Sequence, residues 1–495
     1  MIQPSFEKFK KLARKGNLVA FRADLPADLE TPVSSFLKFE AGEPYAFLLE
    51  SAEQEEKIGR YSFLGFDPEA VLISRGKNVF LTQKGRTKRL SSETDLLNAL
   101  RKLIAGYRLA NPEGLPNFAG GLVGFLGYEN VRLFEKIRLR EKTGLALEDG
   151  VFFLVKDFLL FDHFQKTLSL ISLCEVGGRG EKALAKEYQG ALRKIQKRRS
   201  YLGGGSLPKK GSPERKTPRF EANLPRPEFE KRVNRIKEYI RAGDCIQVVF
   251  SQRFRLGKTQ DDFEIYRALR SINPSPYMFY FRSGPLRLIG SSPELLVKKT
   301  GRVAELRPIA GTRPRGGNPK DDRRLEESLK RSTKETAEHL MLVDLGRNDL
   351  GRVCQFKTVQ VGEFARVERY SHVMHLVSTV SARLKSGKDA FDLLKATFPA
   401  GTVTGAPKVR AMQIIDELEP EKRGPYAGCL GYFSFNGDMD MCITIRTIVV
   451  SQKQAYIQAG AGIVYDSQPR REYEETLNKA RALVQAVHGK KGREL

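Results

Sequence analysis

The sequence predicts an α+β fold in which large antiparallel β-sheets pack as a sandwich with helices on the outside. Short apolar runs of strand length recur along the 495 residues and are separated by Gly, Asp-Pro and Lys-Gly breaks. Helical patterns are collected between groups of strands, whereas a parallel sheet would need a helix after each strand. Hydrophobic residues make up 40% of the chain, including 30 Phe and 16 Tyr, which is enough for a substantial core.

The N-terminal half begins with an amphipathic helix and its lead-in over residues 1–20. Four short apolar runs between Tyr45 and Leu81 predict antiparallel strands. Residues 151–163 (VFFLVKDFLLFDH) and 167–176 (TLSLISLCEV) together predict a hairpin. Helical spacing of apolar residues predicts helices over Thr94–Ala105 and Glu181–Arg199.

A segment of linker composition, Tyr201–Phe220, separates the two halves, since it is rich in Gly, Pro, Ser and Lys and nearly free of apolar residues. We therefore expect an N-terminal domain at 1–200, a basic linker at 201–224 and a C-terminal domain at 225–488.

The C-terminal half alternates groups of strands with helices. Helices are predicted over Pro227–Ala242, Phe263–Ile272, 372–384 (HVMHLVSTVSARL), Phe391–Ala396 and the C-terminal segment. Strands are predicted at 245–256, Tyr277–Phe281, Leu286–Ile289, Val303–Pro308 and Val359–Phe364. A meander is predicted from Leu430–Phe435, Met441–Val450 and Ala455–Ala459.

Two helical patterns each carry a pair of carboxylates three residues apart. Asp321–Val353 reads as one long helix with its end near Gly346, and it places Glu335 and Glu338 on one face. Near the C-terminus, Glu472 and Glu475 form a second pair on another predicted helix. Either pair alone is usually a solvated helix face. Together they predict a site for Mg²⁺, which takes few carboxylates and leaves positions for water and an anionic substrate.

The net charge of +26 indicates an anionic partner, and nucleic acid is one alternative. The sequence contains no zinc finger, RNP-like aromatic pair or KH-type clamp, so a basic surface that attracts a small dianion is favoured. The five Cys are scattered without a CxxC pair, which indicates a reducing cytoplasm. No apolar run is long enough for a membrane span, and the charged N-terminus is not typical of a secretory signal.

Four loops of the C-terminal half combine Gly with small and charged residues, as cradles for carboxylates and phosphates do. They are 289–297 (IGSSPELLV), 307–316 (RPIAGTRPRG), 398–408 (FPAGTVTGAPK) and 457–467 (IQAGAGIVYDS), the last predicted as a strand that turns at Gly460–Gly462. Each loop alone is more often a plain turn or bulge. None matches the P-loop or GxGxxG pattern, so nucleotide binding is disfavoured.

These loops belong to a longer series of motifs. The series comprises FLLESAE, GRYSFLG, GGLVGFLGYE, NPSPYMFY, SSPELLV, PIAGTRPRG, AEHLMLVDLGRNDLGRV, FPAGTVTGAPK, YAGCLGY, ITIRT, GAGIVYDS and EYEETLNKA. In this order the motifs resemble those of the chorismate-utilising enzymes, and over residues 40–485 the chain is similar to anthranilate synthase component I. The resemblance implies that an N-terminal regulatory subdomain is intertwined with a C-terminal chorismate-binding domain.

The resemblance also implies roles for individual residues. Glu294 aligns with the family's general acid and His375 with a histidine linked to elimination of pyruvate. His375 is also open to a metal-binding role with His372, or to a role as a hydrogen-bonded core histidine. Glu338 and Glu475 would bind Mg²⁺ directly, with Glu335 and Glu472 beside them. The substrate carboxylates would be held by Gly311, Thr312, Tyr426, Arg446, Gly460, Ala461, Gly462 and Lys479.

Two positions distinguish the branches of this family. Isochorismate and salicylate synthases activate water with a Lys at the position that resembles Gln247, and Gln cannot act as that base. Aminodeoxychorismate synthases carry a nucleophilic Lys where this chain has Ala310, which cannot form the covalent adduct. Both residues favour addition of ammonia at C2 and formation of anthranilate, with an aminodeoxychorismate synthase component as the enzymatic alternative.

The resemblance implies two further ligands. A separate glutaminase subunit would supply ammonia, since the chain shows no glutaminase nucleophile of its own, and a hetero-oligomer would result. Tryptophan would inhibit the enzyme through a pocket that includes Ser51, Pro276, Tyr277 and Met278.

Overall fold

The computed structural model describes residues 2–39, 43–51, 59–90, 95–178, 180–204, 220–259, 261–370 and 373–488. Its helices are α1 Phe6–Leu12, α2 Pro32–Phe39, α3 Leu96–Ala105, α4 Glu181–Gly204, α5 Arg226–Arg241, α6 Asp262–Ile272, α7 Pro319–Lys330, α8 Thr333–Gly351, α9 Ala390–Thr397, α10 Lys408–Leu418 and α11 Pro469–His488. Short 3₁₀ helices span Tyr128–Leu133 and Gly401–Val403. Among the described residues, no helix is long and apolar enough to cross a bilayer.

The strands of the N-terminal half are β1 Ile2–Gln3, β2 Leu18–Pro26, β3 Tyr45–Glu50, β4 Tyr61–Phe66, β5 Ala70–Arg75, β6 Asn78–Gln83, β7 Arg86–Arg89, β8 Gly121–Leu126, β9 Gly150–Val155, β10 Asp157–Asp162 and β11 Thr167–Glu175. The strands of the C-terminal half that precede α7 are β12 Glu221–Ala222, β13 Gln247–Lys258, β14 Tyr277–Ser283, β15 Leu286–Ser292, β16 Leu295–Thr300, β17 Val303–Leu306 and β18 Ile309–Pro314. The remaining strands are β19 Gln360–Val361, β20 Arg366–Arg369, β21 Val373–Val377, β22 Val380–Arg383, β23 Gly405–Ala406, β24 Cys429–Ser434, β25 Met439–Ile443, β26 Thr447–Ser451 and β27 Gln454–Ile463.

Two large antiparallel sheets dominate the described residues, and both draw strands from the two halves of the sequence. The first runs in the order β1-β2-β11-β10-β4-β3-β14-β15-β26-β27-β13-β12, with β23 also paired to β13. The second runs β19-β22-β17-β16-β25-β24-β8-β9-β5-β6-β7, and a third, small sheet contains β18-β21-β20. The predicted α+β sandwich with intertwined halves is therefore confirmed.

The core lies between the two large sheets. Phe153 on β9 of the second sheet stacks on Phe281 on β14 of the first, with ring centroids 4.5 Å apart. On the outer face of the first sheet, α1, α4, α6 and α11 contribute apolar side chains to a second cluster. Burial of these faces by helices gives the layered arrangement expected when each sheet must cover its apolar surface.

Two neighbouring connections between the large sheets carry predicted site residues. The connection from β15 to β16 carries Glu294, and the connection from β25 to β26 carries Arg446. A hydrogen bond from Ile443 N to Glu294 O (3.0 Å) and one from Ser291 N to Arg446 O (3.1 Å) join these two connections. The predicted continuous strand Met441–Val450 is therefore wrong, since Arg446, at a φ of 49°, interrupts it where it changes sheet.

The predicted long acidic helix is two helices. Lys330 ends α7, and the Ser332 hydroxyl accepts a hydrogen bond from Glu335 N (3.4 Å) at the start of α8. The predicted end at Gly346 is also wrong, because α8 continues to Gly351. Gly346 lies inside α8, where a Cβ would sit 3.3 Å from Leu306 on β17, so its role is close packing rather than termination.

The segment predicted as a helix around His375 forms strands β21 and β22 instead. Its apolar and β-branched residues Val373, Val377 and Val380 pair with β18 and β17, which stabilises the extended conformation. A helical His372–His375 pair is excluded for the described residues, since His375 lies on a strand and His372 lies outside them.

Two further predictions need correction. The GAG segment does not turn, because β27 runs through it to Ile463 and pairs with β13 throughout. The predicted 151–176 hairpin contains only β10 and β11, since β9 belongs to the other sheet. The linker prediction stays a prediction: α4 extends to Gly204, and residues 205–219 lie outside the described residues.

Candidate active site

The candidate site is assembled from strands of the first sheet, the small sheet and helices α8 and α11. It brings the two carboxylate pairs near each other, since the charges of Glu335 and Glu475 both act on Glu338. Burial raises the pKa of Glu338, and these two charges raise it further, whereas a hydrogen bond from Gln247 and the charge of Lys334 lower it. Burial and the charge of Glu475 likewise raise the pKa of Glu472.

Basic side chains partly balance these acids. Lys479 Nζ lies 2.6 Å from Glu475 Oε1 and donates to Gly460 O at 2.9 Å. Arg313 Nη1 lies 3.2 Å from Glu335 Oε1. The described residues contain no cluster of three His, Cys, Asp or Glu that encloses a metal by itself. The donor set nevertheless suits Mg²⁺, because neighbouring carboxylate charges raise the pKa of Glu338 and a cation would offset them, and Mg²⁺ takes several of its ligands from water and substrate.

Glu294 lies within the site rather than on an exposed turn. Burial raises the pKa of its carboxyl to about 7, while the nearby Thr402 hydroxyl and the charge of Lys479 oppose that rise. A carboxyl group with this pKa is partly protonated at neutral pH and is suited to general acid catalysis.

His375 is oriented by the small sheet. Its Nδ1 lies 2.9 Å from Gly311 O and 3.1 Å from Thr312 Oγ1. Because a carbonyl oxygen only accepts hydrogen bonds, Nδ1 carries the proton and Nε2 is left as an acceptor. Burial and the nearby charge of Arg446 lower the pKa of His375, so the ring is neutral at pH 7 and able to act as a base.

The glycines of the site occupy positions that a side chain would fill. Gly311 has a φ of 63° at the β18 bulge, and a Cβ there would lie 3.1 Å from Glu335 Oε2. On β27, a Cβ at Gly460 would lie 2.8 Å from the Tyr426 hydroxyl. A Cβ at Gly462 would lie 2.8 Å from Gln247 Nε2. Glycine therefore keeps these backbone surfaces open to an approaching anion.

Arg446 lies where the two sheets meet. Its Nη1 donates to Lys479 O at 3.0 Å, and burial lowers its pKa, while the neighbouring Tyr426 and the charge of Glu475 oppose that shift. Tyr426 is buried, and burial raises its pKa to about 12, so the phenol remains a hydrogen-bond donor. Ala461 lies between Gly460 and Gly462 on β27 and is fully buried opposite Phe250.

The residues of the predicted tryptophan pocket lie together at some distance along the first sheet. Met278 on β14 pairs with Glu50 on β3, so Ser51 lies level with Tyr277, which follows Pro276. The Ser51 hydroxyl is buried and has no hydrogen-bond partner among the described residues. The Tyr277 hydroxyl donates to Asp440 Oδ1 at 3.1 Å. A buried hydroxyl without a partner is unusual and favours a ligand at this position.

Several contacts of the site were missed by the sequence reasoning. The contacts of Thr402 with Glu294 and of Arg313 with Glu335 each join separate elements of the chain. Thr402 and Arg313 lie inside the FPAGTVTGAPK and PIAGTRPRG motifs, which was the only signal for them.

A comparison with protein families matches residues 44–485 to the model described as chorismate binding enzyme. This chain belongs to the chorismate-binding enzyme family. The match spans nearly the whole chain and includes both halves, which agrees with the way their strands share the two large sheets.

Curated relatives of this chorismate-binding enzyme share its full length. The anthranilate synthase component 1 of Synechocystis is 45% identical over 98% of this chain and 99% of its own. The protein of the same name from Thermus thermophilus is 45% identical over 94% of this chain and 97% of its own.

Two solved structures have a similar fold. The anthranilate synthase component I of Streptococcus pneumoniae has 38% identity and a TM-score of 0.76, covering 87% of this chain and 93% of its own. MenF, the menaquinone-specific isochorismate synthase of Escherichia coli, has 19% identity and a TM-score of 0.71 over 97% of this chain and 98% of its own, which shows a shared fold.

Proposed function

We propose that this chorismate-binding enzyme converts chorismate and ammonia to anthranilate and pyruvate, the first step of tryptophan biosynthesis. The observation that carries the proposal is the half-buried Glu294, a carboxyl with a pKa of about 7 on which the charge of Lys479 acts. The full-length relatives, all named anthranilate synthase component 1, favour this function over aminodeoxychorismate synthesis and over nucleic-acid binding.

The first chemical step needs an acid. Ammonia adds at C2 of the ring while the 4-hydroxyl leaves, and hydroxide is a poor leaving group. Protonated Glu294 donates its proton to this oxygen, which departs as water. Lys479 contributes a positive charge near the carboxylate that remains, and the Thr402 hydroxyl would stabilise it.

The second step needs a base. Loss of the ring proton at C2 drives elimination of the enolpyruvyl group as pyruvate and makes the ring aromatic. His375 has a free Nε2 lone pair, since Gly311 O holds the Nδ1 proton. We assign His375 the role of assisting this proton removal.

The substrate carboxylates have cationic and backbone partners in the site. Arg446 offers a guanidinium fork, which matches carboxylate geometry. Lys479 and the Tyr426 hydroxyl would contact the same anion, and Gly460 and Gly462 leave room for it along β27. Gly311 and Thr312 line the opposite side through the small sheet.

Magnesium is part of the proposal. Glu338 and Glu475 would hold the ion, with Glu335 and Glu472 next to them or joined through water. When bound, Mg²⁺ would neutralise acidic charge and orient the substrate carboxylate.

Two residues at the site support ammonia as the nucleophile. Gln247 donates its amide to Glu338 Oε1 at 3.3 Å and has no basic group that could activate water. Ala310 is buried on β18 next to Gly311 and cannot form a covalent adduct with the ring. Ammonia is nucleophilic without a base, so the proposed reaction needs neither a base at Gln247 nor a nucleophile at Ala310.

A glutaminase subunit would supply the ammonia, and tryptophan would inhibit the enzyme by feedback. The component 1 names of the relatives support a partner component. The unpartnered Ser51 hydroxyl beside Tyr277 supports a regulatory pocket between β3 and β14. We place the complex in the cytoplasm.

A direct assay tests the proposal. The purified chain, mixed with chorismate, ammonium and Mg²⁺, is expected to produce fluorescent anthranilate and one equivalent of pyruvate. Glu338→Gln is expected to lower this rate at least ~100-fold. Glu327→Gln is the matched control, because Glu327 is an exposed carboxylate on α7 that pairs only with Arg331 among the described ion pairs. Equal rates in the two variants would remove Glu338 from the site, and absence of anthranilate from the unaltered chain would reject the function.

A further inference from the structure

A cavity of about 450 Å³ lies apart from the candidate active site. Four segments enclose it: the end of α3, the β16–β17 turn, the loop from β22 to α9, and the β24–β25 turn. None of the residues predicted to bind chorismate, magnesium or tryptophan lines it. Its volume lies within the range of sites for small organic ligands.

One part of the cavity wall is apolar. Its side chains are Ile104, Leu384, Phe391, Phe433 and Phe435. The rings of Phe391 and Phe433 stack with centroids 4.2 Å apart, so this part of the wall is firmly packed. A flat apolar group would find a complementary surface here.

The remaining wall is basic. It carries Arg101, Lys299, Arg302, Lys385 and Lys388 against two carboxylates, Asp389 and Asp438.

Both of these carboxylates already have partners. Asp389 pairs with Arg101 at 2.8 Å and caps α9 by accepting from Phe391 N and Asp392 N. Asp438 Oδ1 accepts from Gly301 N at 2.8 Å. The acidic groups of the wall are therefore engaged in local structure.

The other four cations lack such partners. Within the described residues, none of Lys299, Arg302, Lys385 and Lys388 forms an ion pair with a carboxylate. Lys299 Nζ and Arg302 Nη2 donate only to backbone carbonyls, at Gly437 O (2.6 Å) and Leu384 O (2.8 Å). Lys299 is half-buried, and this burial lowers its pKa, although the charges of Asp438 and Asp389 oppose the shift. An anion in the cavity would compensate these positive charges.

We propose that this cavity binds a flat organic anion, an aromatic or heterocyclic ring that carries a phosphate or more than one carboxylate. The ring lies against the wall formed with Phe391, and the anionic group lies near Lys299 and Arg302. A ring without charge would leave the cations unpaired, and a bare inorganic anion would leave the apolar wall in water, so the two features together define the ligand class.

Phenyl phosphate is a suitable probe because it combines one ring with one dianion. Calorimetric titration of the full chain at low salt is expected to show about tenfold tighter binding of phenyl phosphate than of inorganic phosphate. Lys299→Gln is expected to weaken phenyl phosphate binding about tenfold. Ile104→Gln is expected to weaken phenyl phosphate binding and to leave inorganic phosphate unchanged. Lys320→Gln, which removes an exposed lysine on α7, is the control and is expected to have no effect.

Three results would overturn the proposal. Equal weakening by Lys299→Gln and Lys320→Gln would show that the probe responds to overall positive charge. Loss of binding in Arg446→Ala would place the probe in the chorismate site. Equal affinity for phenyl phosphate and inorganic phosphate would remove the role of the apolar wall. Circular dichroism of each variant confirms that it is folded before titration.

Discussion

Arg423 and Glu419 form a doubly hydrogen-bonded ion pair in the interior, with Nε to Oε2 at 2.8 Å and Nη2 to Oε1 at 2.6 Å. Their side chains are only 1% and 3% exposed. The same guanidinium donates to Val403 O (2.7 Å) and Val249 O (2.8 Å). Glu419 also accepts from the backbone N–H and the hydroxyl of Ser251. A charge pair this buried is stable only because nearly all its hydrogen-bonding groups are satisfied.

These contacts join three segments of the candidate site. Val403 follows Thr402, which faces Glu294, and Val249 lies two residues after Gln247 on β13. The guanidinium also lies over the ring of Tyr426, 5.5 Å from its centroid. Arg423 thus positions the site without reaching the substrate.

Arg423→Lys is therefore expected to lower kcat/KM for chorismate about 100-fold, because a lysine keeps the charge but cannot hold all three segments. The control is Arg253→Lys, which alters another enclosed arginine, 7% exposed and paired with Glu421. Steady-state kinetics and thermal unfolding of both variants check this. Similar losses of activity at similar losses of stability would mean that Arg423 acts only through general stability.

The pKa of Glu294 predicts the pH dependence of the reaction. The acid must be protonated, and its pKa is about 7, so kcat/KM for chorismate is expected to fall as pH rises above 7, approaching about tenfold per pH unit. The concentration of free ammonia must be held constant across the series, because it rises with pH. Glu294→Gln is expected to abolish this dependence together with most of the activity.

Thr402→Val provides a finer test of the same carboxyl. The nearby Thr402 hydroxyl lowers the pKa of Glu294, so loss of this hydroxyl is expected to move the descending limb of the pH profile to higher pH. The matched control is Thr397→Val, which removes a buried hydroxyl that bonds only to Leu393 O and Leu394 O on α9. A descending limb that stays in place in Thr402→Val, or moves equally in both variants, would show that a group other than Glu294 controls it.

Much of the fold was predictable because strand-length apolar runs and turn residues are local signals. The helix α3 was predicted over Thr94–Ala105 and is found at Leu96–Ala105, since Asp95 supplies a cap that the sequence shows. The positions at which the chain crosses from one large sheet to the other were not predictable. Every residue of β9 is buried, so its sequence shows no alternation of polar and apolar residues from which its sheet could be predicted. The strand β21 was predicted as a helix, because a short apolar run has no decisive period.

The candidate site was predictable to the extent that its residues lie in compact motifs or at helical spacing. Glu335 and Glu338 stand three apart on a helix, as expected. The contacts of Arg423 with Val249 and Val403 were not predictable, since they depend on how distant segments close together. No local pattern distinguishes a buried arginine that positions a site from the many exposed arginines of this basic chain.

The Ser51 hydroxyl leads to a prediction about regulation. Ser51→Ala is expected to weaken inhibition by tryptophan at least ~10-fold, because bound tryptophan would lose its contact with this buried hydroxyl. Uninhibited turnover is expected to stay within about twofold. Rate titrations with tryptophan at fixed chorismate measure this. Ser74→Ala is the control, since Ser74 also has a buried hydroxyl without a partner but lies on β5 in the other sheet. Unchanged sensitivity to tryptophan in Ser51→Ala would remove Ser51 from the pocket.

His339 predicts how stability depends on pH. Its ring is fully buried on α8, its Nε2 lies 2.6 Å from Ser378 Oγ, and burial lowers its pKa to about 4. The unfolded chain takes up this proton near pH 6.5, whereas the folded chain resists it until about pH 4. The free energy of unfolding is therefore expected to fall by up to about 3 kcal/mol as pH drops from 6.5 to 4.

Denaturant unfolding at a series of pH values measures this contribution of His339. His339→Gln, which keeps a polar side chain that can bond Ser378 but does not titrate, is expected to have a flatter dependence over the same interval. His488→Gln is a comparison for histidine loss near the end of α11. Because ordinary carboxylates also titrate at low pH, the difference between His339→Gln and the unaltered chain from pH 6.5 to 5 is decisive. Parallel curves in that interval would show that burial of His339 does not govern the acid sensitivity of the fold.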